Sequence, residues 1–316
     1  MGSVVRAVVF DFDGLIVDTE TPIFRAWQEE FTRHGAELTA EDWAIQIGTV
    51  GALDPIALLR QRSDDEIDED EIHDRRRTRT LAMLAHEGLR PGVTAWLDAC
   101  TERGLATAVS SSSTRQWVAG HLRHHGLTRR FRLLSCFGTG LPPKPAPDLY
   151  SAACRALGVA PFEAVALEDS PNGVAAAKEA GMHVISVANP VTDGMDLGHA
   201  DHAITTLADQ SLADAFHHMD LLPVPADPDK VRVLPEYVTN GRLARLPSKR
   251  QKLRIVLDAV VQCVALGDRI GEPELNDRLR AWSDDTASLR RHLVDEGFLG
   301  REAGVYWRTG GTVNGM

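Results

Sequence analysis

The chain has no long apolar segment. None of its uncharged runs approaches the roughly 20 residues that a helix needs to cross a bilayer. The first apolar run, residues 4–10, is short and meets Asp11 at once, which is unlike a signal peptide. We therefore expect a cytoplasmic protein without a membrane partner.

The chain also lacks paired cysteines and an excess of positive charge. Its four cysteines show no CxxC spacing, which indicates reduced thiols and neither a disulfide framework nor a zinc site. Lysine and arginine number 34 against 45 acidic residues, and the net charge of −11 disfavours general attraction to nucleic acid. Residues 239–316 nevertheless hold 13 basic and 10 acidic residues, a net charge of +3. This asymmetry suggests two bodies with different roles.

Short apolar strands alternate with helices across residues 91–217. Strand-like runs are predicted at residues 105–109, 133–137, 164–167, 183–187 and 202–205, with helices between them. Strands separated by helices in this way imply βαβ units. We therefore expect an α/β fold with a Rossmann-like parallel sheet that has helices on both faces.

Three further regions accompany this sheet. Residues 18–88 show helical periodicity but no strand-like run, so we expect a helical cap inserted into a core of residues 1–17 and 89–220. Three prolines within residues 221–230 suggest an extended linker at residues 221–238. Residues 239–316 then show three helices and a hairpin, the order of a small winged-helix-like α+β accessory domain.

Two carboxylates, Asp11 and Asp13, directly follow the first strand in the run DFDG. Parallel sheets bind ligands at the carboxyl ends of their strands, and alternate residues of extended backbone can face one cavity. One carboxylate could then attack a substrate while the other handles protons. Taken alone the pattern is weak, because acidic turns with glycine are common.

Three other loops at predicted strand ends carry groups suited to phosphate and metal. The serine run 110–113 offers hydroxyl and N–H groups for phosphate, although such runs also cap helices. Lys144 stands among four prolines that would hold its cation in place. Glu168 and Asp169 follow another strand and add carboxylates to an oxygen-rich site that suits Mg²⁺. The recurrence of such groups at strand ends of one sheet favours a functional site.

Four stretches of the sequence together resemble a known family. They are DFDGLIVDTE, AVSSSSTR, KPAPDLY and ALEDSPNGVAAAKEAGM. In this order they resemble the four motifs of the haloacid dehalogenase-like (HAD) superfamily, in its phosphatase-like branch with a helical cap. The resemblance covers residues 4–217 and implies a Mg²⁺-dependent phosphatase, a phosphoric monoester hydrolase acting on a small phosphorylated metabolite such as a sugar phosphate or nucleotide.

The resemblance also implies a role for each motif residue. Asp11 would be the nucleophile that forms an aspartyl-phosphate, and Asp13 would be the general acid and base. Ser111, or Ser110 if the register shifts by one, would bind the phosphoryl oxygens. Lys144 would neutralise negative charge, because an anionic nucleophile approaches an anionic phosphate only when cations screen the repulsion.

The same resemblance implies a metal site and a substrate-binding set. Mg²⁺ would be held by Asp11, the Asp13 carbonyl oxygen and Asp169, with Glu168 assisting. Substrate would be bound by a set of polar side chains, namely Ser111, Ser112, Lys144, Glu20 and Asn172.

A phosphomutase similar to β-phosphoglucomutase is the alternative enzyme. In those mutases a histidine lies in a stretch like DTAEYHFRAW, but Ile23 takes its place here in DTETPIFRAW. Their cap loop also carries an arginine that grips the second phosphate, whereas residues 47–55 of this chain contain no basic residue. Both differences favour a hydrolase. Dehalogenation is less favoured, because Asp13 and the Glu168-Asp169 pair are what phosphoryl transfer requires.

The C-terminal region resembles the family called domain of unknown function 2087, over residues 240–309. DDTASLRRHLVDEGFL and YWR carry this resemblance, which implies no activity. A basic cluster lies at the entrance of the unit, and it consists of Arg242, Arg245, Lys249, Arg250, Lys252 and Arg254. Arg290 and Arg291 lie on the third helix, where a winged helix would contact the major groove. Acidic residues on the same helix favour packing or a homodimer over a phosphometabolite-linked DNA-binding regulator.

Overall fold

A parallel sheet forms the core of the computed structural model, which describes residues 2–138 and 140–312. Up to residue 204 the strands are β1 (Ser3–Val5), β2 (Ala7–Phe10), β3 (Ala106–Thr114), β4 (Leu133–Phe137), β5 (Ala164–Glu168), β6 (His183–Val187) and β7 (His202–Ile204). Strands β2 to β7 form one parallel sheet in the order β4-β3-β2-β5-β6-β7. The chain crosses from one side of β2 to the other between β4 and β5, and such folds bind ligands at this switch point.

Helices cover both faces of this sheet. Up to residue 218 they are α1 (Glu20–Arg33), α2 (Ala40–Ala44), α3 (Pro55–Arg62), α4 (Glu69–Leu84), α5 (Val93–Glu102), α6 (Arg115–His124), α7 (Asp148–Leu157), α8 (Pro171–Glu179) and α9 (Leu212–His218). In β2, Val8 and Phe10 pack with α5, α6 and α9, whereas Ala7 and Val9 pack with α7 and α8. Because both faces of the strands are apolar, the sheet is buried on both sides. The predicted Rossmann-like α/β architecture is confirmed.

Helices α1 to α4 form a cap between β2 and β3. Its own apolar cluster includes Trp27, Phe31 and Trp43, which are buried. The cap leaves and rejoins the core at one place, where Val17 and Leu89 form an isolated bridge. In the described part of the chain, no helix is long and apolar enough to span a membrane.

The segment 221–238 differs from the expected extended linker. It contains β8 (Leu221–Pro223), which pairs with β1, and α10 (Pro228–Tyr237). Asp227 caps α10 by accepting hydrogen bonds from two backbone N–H groups. Pro228 occupies the first turn, where its missing N–H leaves no helical bond unmade. Pro228 therefore marks the start of a helix, and the extended linker is corrected.

The remaining C-terminal elements have the order of a winged helix. They are β9 (Val238–Thr239), β10 (Arg242–Leu243), α11 (Arg250–Val261), β11 (Ile270–Gly271), α12 (Glu272–Arg280), α13 (Thr286–Asp295), β12 (Leu299–Glu302) and β13 (Val305–Arg308). Strands β11, β13 and β12 form a small antiparallel sheet, and the predicted α+β unit is confirmed. Ala156 of α7 and Leu234 of α10 share one apolar cluster with Val256 and Val260 of α11. The unit is thereby packed onto the core.

Candidate active site

Several predicted site residues meet at the carboxyl edge of the sheet, around the end of β2. Asp11 follows β2, and its backbone N–H donates to the Leu167 carbonyl oxygen at 2.9 Å. The Lys144 ammonium donates to the carboxylates of Asp11 and Glu168, and all three residues are buried. The buried Tyr150 hydroxyl also donates to Glu168. Glu168 is thus held as an anchor that orients the lysine toward Asp11.

The charges at this edge do not balance. Burial raises the pKa of Asp11 well above its ordinary value, and Glu168 and Asp169 raise it further, whereas Lys144 lowers it. Burial also raises the pKa of Asp169, with Glu168 as the next cause. Burial by itself would lower the pKa of Lys144, but Asp11 and Glu168 raise it above its ordinary value. One buried ammonium therefore faces three buried carboxyl groups.

This excess of acidic groups suits a divalent cation. Carboxylate oxygens of Asp11, Glu168 and Asp169 lie within 4.8 Å of one another. A hard cation such as Mg²⁺ takes oxygen ligands of this kind and would offset the repulsion between them. Asn189 donates a hydrogen bond to Asp169 and holds that carboxylate in place. The donor set therefore fits the metal that the sequence predicts.

Asp13 is held separately, by three donors. Thr19 Oγ1 and Trp117 Nε1 each lie 2.8 Å from its Oδ1, and Ser111 Oγ lies 3.1 Å from its Oδ2. Ser111 also lines the cavity in front of the two aspartates. The Ser110 hydroxyl, in contrast, is fully buried and has no hydrogen-bond partner among the described residues. The geometry therefore favours Ser111 over Ser110 as the phosphate-binding serine.

Gly14 lets the loop after β2 pass close to Asp169. Its φ is +79°, in the left-handed region that favours glycine. A Cβ at this position would lie 1.9 Å from Asp169 Oδ2. The Gly14 N–H donates to the Val17 carbonyl oxygen at 2.8 Å, which closes the turn. The glycine of the DxDG run is therefore required by the approach of the acid cluster.

A cavity of about 320 Å³, which we call the catalytic cavity, opens in front of Asp11 and Asp13 and extends under the cap. The structure places Glu20 and Ser112, two of the predicted substrate-binding residues, on its wall. Burial raises the pKa of Glu20 to about 8, with Asp13 and Asp11 as further causes. Ile23 lines the same cavity, so the position of the mutase histidine is apolar here.

Arg76 of α4 is a cavity residue that the sequence motifs do not indicate. Its guanidinium lies 5.1 Å from the centroid of the Trp27 ring, and its Nε has no hydrogen-bond partner among the described residues. Burial lowers the pKa of Arg76, and Arg77 adds to this effect. The cap thus presents a cation to the cavity although its loop, residues 47–55, has none. Of the two sequence arguments against a mutase, only Ile23 remains.

Asn172 connects the core to the cap, and it is not among the residues that line the catalytic cavity in the described chain. Its Nδ2 donates to the Ile47 carbonyl oxygen at 2.8 Å. Ser112 makes a similar contact, because its Oγ donates to the Gly48 carbonyl oxygen at 2.9 Å. The same hydroxyl accepts a hydrogen bond from the Lys144 backbone N–H. Both side chains therefore reach one loop of the cap.

Four supporting residues escape the sequence prediction. Thr19 and Tyr150 lie inside the motif stretches DTE and DLY, so their position beside motif residues is a usable signal. Trp117 and Asn189 lie outside all four stretches. Only the fold brings them to the site, because they reach it from a helix and from a loop after β6.

Ion pairs occupy much of the basic cluster in the C-terminal unit. The pairs are Arg242–Asp284, Lys252–Glu236, Arg250–Glu296, Arg254–Glu296 and Arg290–Glu272. Each of these cations already has a carboxylate partner, which reduces the positive potential that steers a protein to nucleic acid.

The fold and the acid cluster together define the class of protein. A family model described as haloacid dehalogenase-like hydrolase matches residues 5–181, more than half of the chain, and the chain belongs to this family. The prediction of a phosphatase-type hydrolase is confirmed at this level. A second model, for an uncharacterized protein conserved in bacteria (DUF2087), matches residues 242–308.

Relatives cover about two thirds of the chain. YhcW of Bacillus subtilis, named as a phosphatase, is 38% identical over 216 residues, which are 68% of this chain and 98% of that protein. A HAD family hydrolase from Deinococcus radiodurans, solved with phosphate and sodium, is 30% identical with a TM-score of 0.58, covering 69% and 98% of the two chains. CbbY from Rhodobacter sphaeroides, solved with xylulose-(1,5)bisphosphate, is 28% identical with a TM-score of 0.55, covering 67% and 99%.

Proposed function

We propose that the protein is a Mg²⁺-dependent phosphatase that hydrolyses a small phosphorylated metabolite through an aspartyl-phosphate at Asp11. The observation that carries this proposal is the meeting of a buried carboxylate, its ammonium partner and an acid cluster at one cavity. The name of one relative supports the substrate class. A Thermotoga maritima protein named phosphorylated carbohydrates phosphatase is 29% identical over 198 residues.

In the proposed reaction an oxygen of Asp11 attacks phosphorus, and the bond between phosphorus and the leaving oxygen breaks. Lys144 and Ser111 hold the phosphoryl oxygens and stabilise their negative charge. Asp13 gives a proton to the leaving oxygen and later takes one from the water that hydrolyses the aspartyl-phosphate. Mg²⁺ bound by Asp11 and Asp169 would screen the repulsion between nucleophile and phosphate.

Ile23 favours hydrolysis over phosphoryl transfer between two positions of a sugar. Its side chain lies on the cavity wall where a mutase would have a histidine, and a hydrocarbon cannot exchange protons with a sugar hydroxyl. Arg76 could hold a second anionic group of the substrate, so it does not separate the two reactions.

Phosphate release from sugar phosphates, nucleotides and phosphoglycolate tests the proposal. We expect release that needs Mg²⁺, stops with a chelator and returns when Mg²⁺ is added again. Interconversion of sugar-phosphate isomers without phosphate release would establish a mutase instead. A folded protein that releases phosphate from no ester in the panel would contradict the proposal.

For the C-terminal unit we infer a packing role. Its apolar cluster with α7 and its internal ion pairs support this inference. Salt-dependent binding of duplex DNA by the full chain would contradict it. A homodimer and a cytoplasmic location stay predictions, which light scattering and cell fractionation would check.

A further inference from the structure

A second cavity lies beside the catalytic one, between α4 of the cap and α6 of the core. We call this cavity, of about 850 Å³, the side groove. Ile23, Arg76 and Trp117 line both the side groove and the catalytic cavity. The two spaces are therefore neighbours that share one wall, and the side groove continues the space in which a substrate would bind.

The walls of the side groove combine apolar surface with unpartnered polar groups. Leu84 and Leu81 face it from α4, and Leu81 is 50% exposed. Thr80, which is only 5% exposed, also lines the groove, and its Oγ1 has no hydrogen-bond partner among the described residues. The same holds for Nε of Arg76. The wall also carries polar side chains, namely Arg77, Gln116, His121 and His124. Mainly apolar walls with some polar groups are the composition of a ligand site.

We propose that the side groove binds the apolar part of the leaving group, so that the preferred substrates are phosphate monoesters of an alcohol with an alkyl or aromatic portion. This proposal rests on the proposed phosphatase function. The leaving oxygen must face Asp13, and Trp117 donates to Asp13 at 2.8 Å. Because Trp117 lines both cavities, the alcohol part of an ester held at Asp13 would extend past this side chain toward the side groove.

The apolar walls of the side groove favour an alcohol whose apolar part is buried there. A leaving group made only of hydroxyl-bearing carbons would gain little from contact with Leu81 and Leu84. Each methylene that leaves water gains about 0.8 kcal/mol at most, so kcat/KM should rise about twofold to fourfold per methylene.

Gly120 of α6 offers a way to fill the side groove. It lines the groove, and no heavy atom lies within 4 Å of where its Cβ would stand. Gly120→Leu therefore adds a side chain to the groove, and replacing a helical glycine also favours the helix. Arg123→Leu is the matched control, because Arg123 lies on the same helix, is exposed, and lines neither cavity.

The test compares ethyl, butyl and hexyl phosphate as substrates of the full-length protein with Mg²⁺. We expect kcat/KM to rise at least about tenfold from ethyl to hexyl phosphate in the wild type. Gly120→Leu should lower the hexyl-to-ethyl ratio about tenfold, whereas Arg123→Leu should leave that ratio unchanged.

Two results would overturn the proposal while leaving the phosphatase function intact. One is phosphate release that does not increase with chain length in the wild type. The other is a Gly120→Leu variant that keeps the wild-type hexyl-to-ethyl ratio. Failure to release phosphate from any ester, including p-nitrophenyl phosphate and the metabolite panel, would instead reject the phosphatase function itself.

Discussion

The cap and the C-terminal unit are attached to the same α/β core by different kinds of contact. The cap meets the core across two cavities, through hydrogen bonds from Ser112 and Asn172 to one loop, with Val191 joining its apolar cluster. The C-terminal unit shares a continuous apolar cluster with α7 and α10. A buried ion pair between Lys230 of α10 and Asp258 of α11 reinforces that attachment.

The two attachments should therefore differ in how easily they separate from the core. Single hydrogen bonds across open cavities contribute about 1 kcal/mol each and are readily exchanged for bonds to water. A continuous apolar cluster cannot separate without exposing its surface. We therefore expect the cap to open for substrate and close over it, and the C-terminal unit to stay fixed to the core.

Removing the C-terminal unit together with α10 should have the largest effect on stability. Truncation after Asp227 deletes α10 and exposes Ala156 and Leu133, which now pack against it or against α11. We expect Tm to fall by about 10 °C or more, or soluble protein to be lost, because a large apolar surface meets water. Calorimetry of the full and truncated chains measures this.

Deleting the cap is the experiment that corresponds to the C-terminal truncation. Replacing residues 21–87 by a short Gly-Ser linker joins two cap ends that already lie together, and the cap has its own apolar cluster. We expect this capless chain to stay folded and to lose turnover of small substrates. If the truncated chain is stable and the capless chain unfolds, the core depends on the cap and not on the C-terminal unit, which would contradict this account.

Breaking the ion pair at the C-terminal attachment should have an intermediate effect. Lys230→Met leaves the Asp258 carboxylate buried without its cation, which should cost about 2–3 kcal/mol of unfolding free energy, less than for a fully buried pair. Burial alone would raise the pKa of Asp258, but hydrogen bonds from Lys230 and Thr312 lower it below its ordinary value. A carboxyl with a lowered pKa stabilises the fold above its unfolded-state pKa, and this contribution is lost as pH falls through the folded-state pKa. The difference in unfolding free energy between variant and wild type should therefore be largest at pH 7 and should become smaller in acid.

Urea unfolding at pH 7 and in acid measures this difference. We expect kcat not to change, because the ion pair lies away from the catalytic cavity. The double variant Lys230→Met with Asp258→Asn removes both charges and should recover most of the lost stability. No recovery in the double variant would show that packing, and not the ion pair, is what the single variant damages.

Loss of one cap contact should have the smallest effect on stability. Asn172→Ala removes the hydrogen bond to the Ile47 carbonyl oxygen, which should lower the unfolding free energy by about 1 kcal/mol or less. Because this bond holds the cap loop near the site, kcat/KM should fall about fivefold, a barrier change near 1 kcal/mol. Steady-state kinetics and thermal unfolding of the same preparation check both values. A large loss of stability with unchanged kinetics would mean that the cap contact is structural.

The sequence predicts the catalytic half better than it predicts the attachments. The strands at residues 133–137 and 183–187 have the predicted bounds, because short apolar runs are local signals. Site residues at strand ends are also predictable, since parallel strands bring their carboxyl ends to one edge. Trp117 and Arg76 reach the cavity only through the packing of helices distant in sequence, which no local pattern records.

Acid quenching during turnover tests the central claim, that Asp11 is the nucleophile, most directly. With a labelled phosphate ester and Mg²⁺, we expect a phosphoryl group on the peptide that contains Asp11. More label should accumulate in Asp13→Asn when the ester has an acidic alcohol that leaves without a proton, because this variant lacks the base that activates water. Asp11→Asn should show neither label nor turnover while its thermal unfolding stays close to that of the wild type. Turnover by Asp11→Asn at the wild-type rate, or label on another residue, would contradict the account.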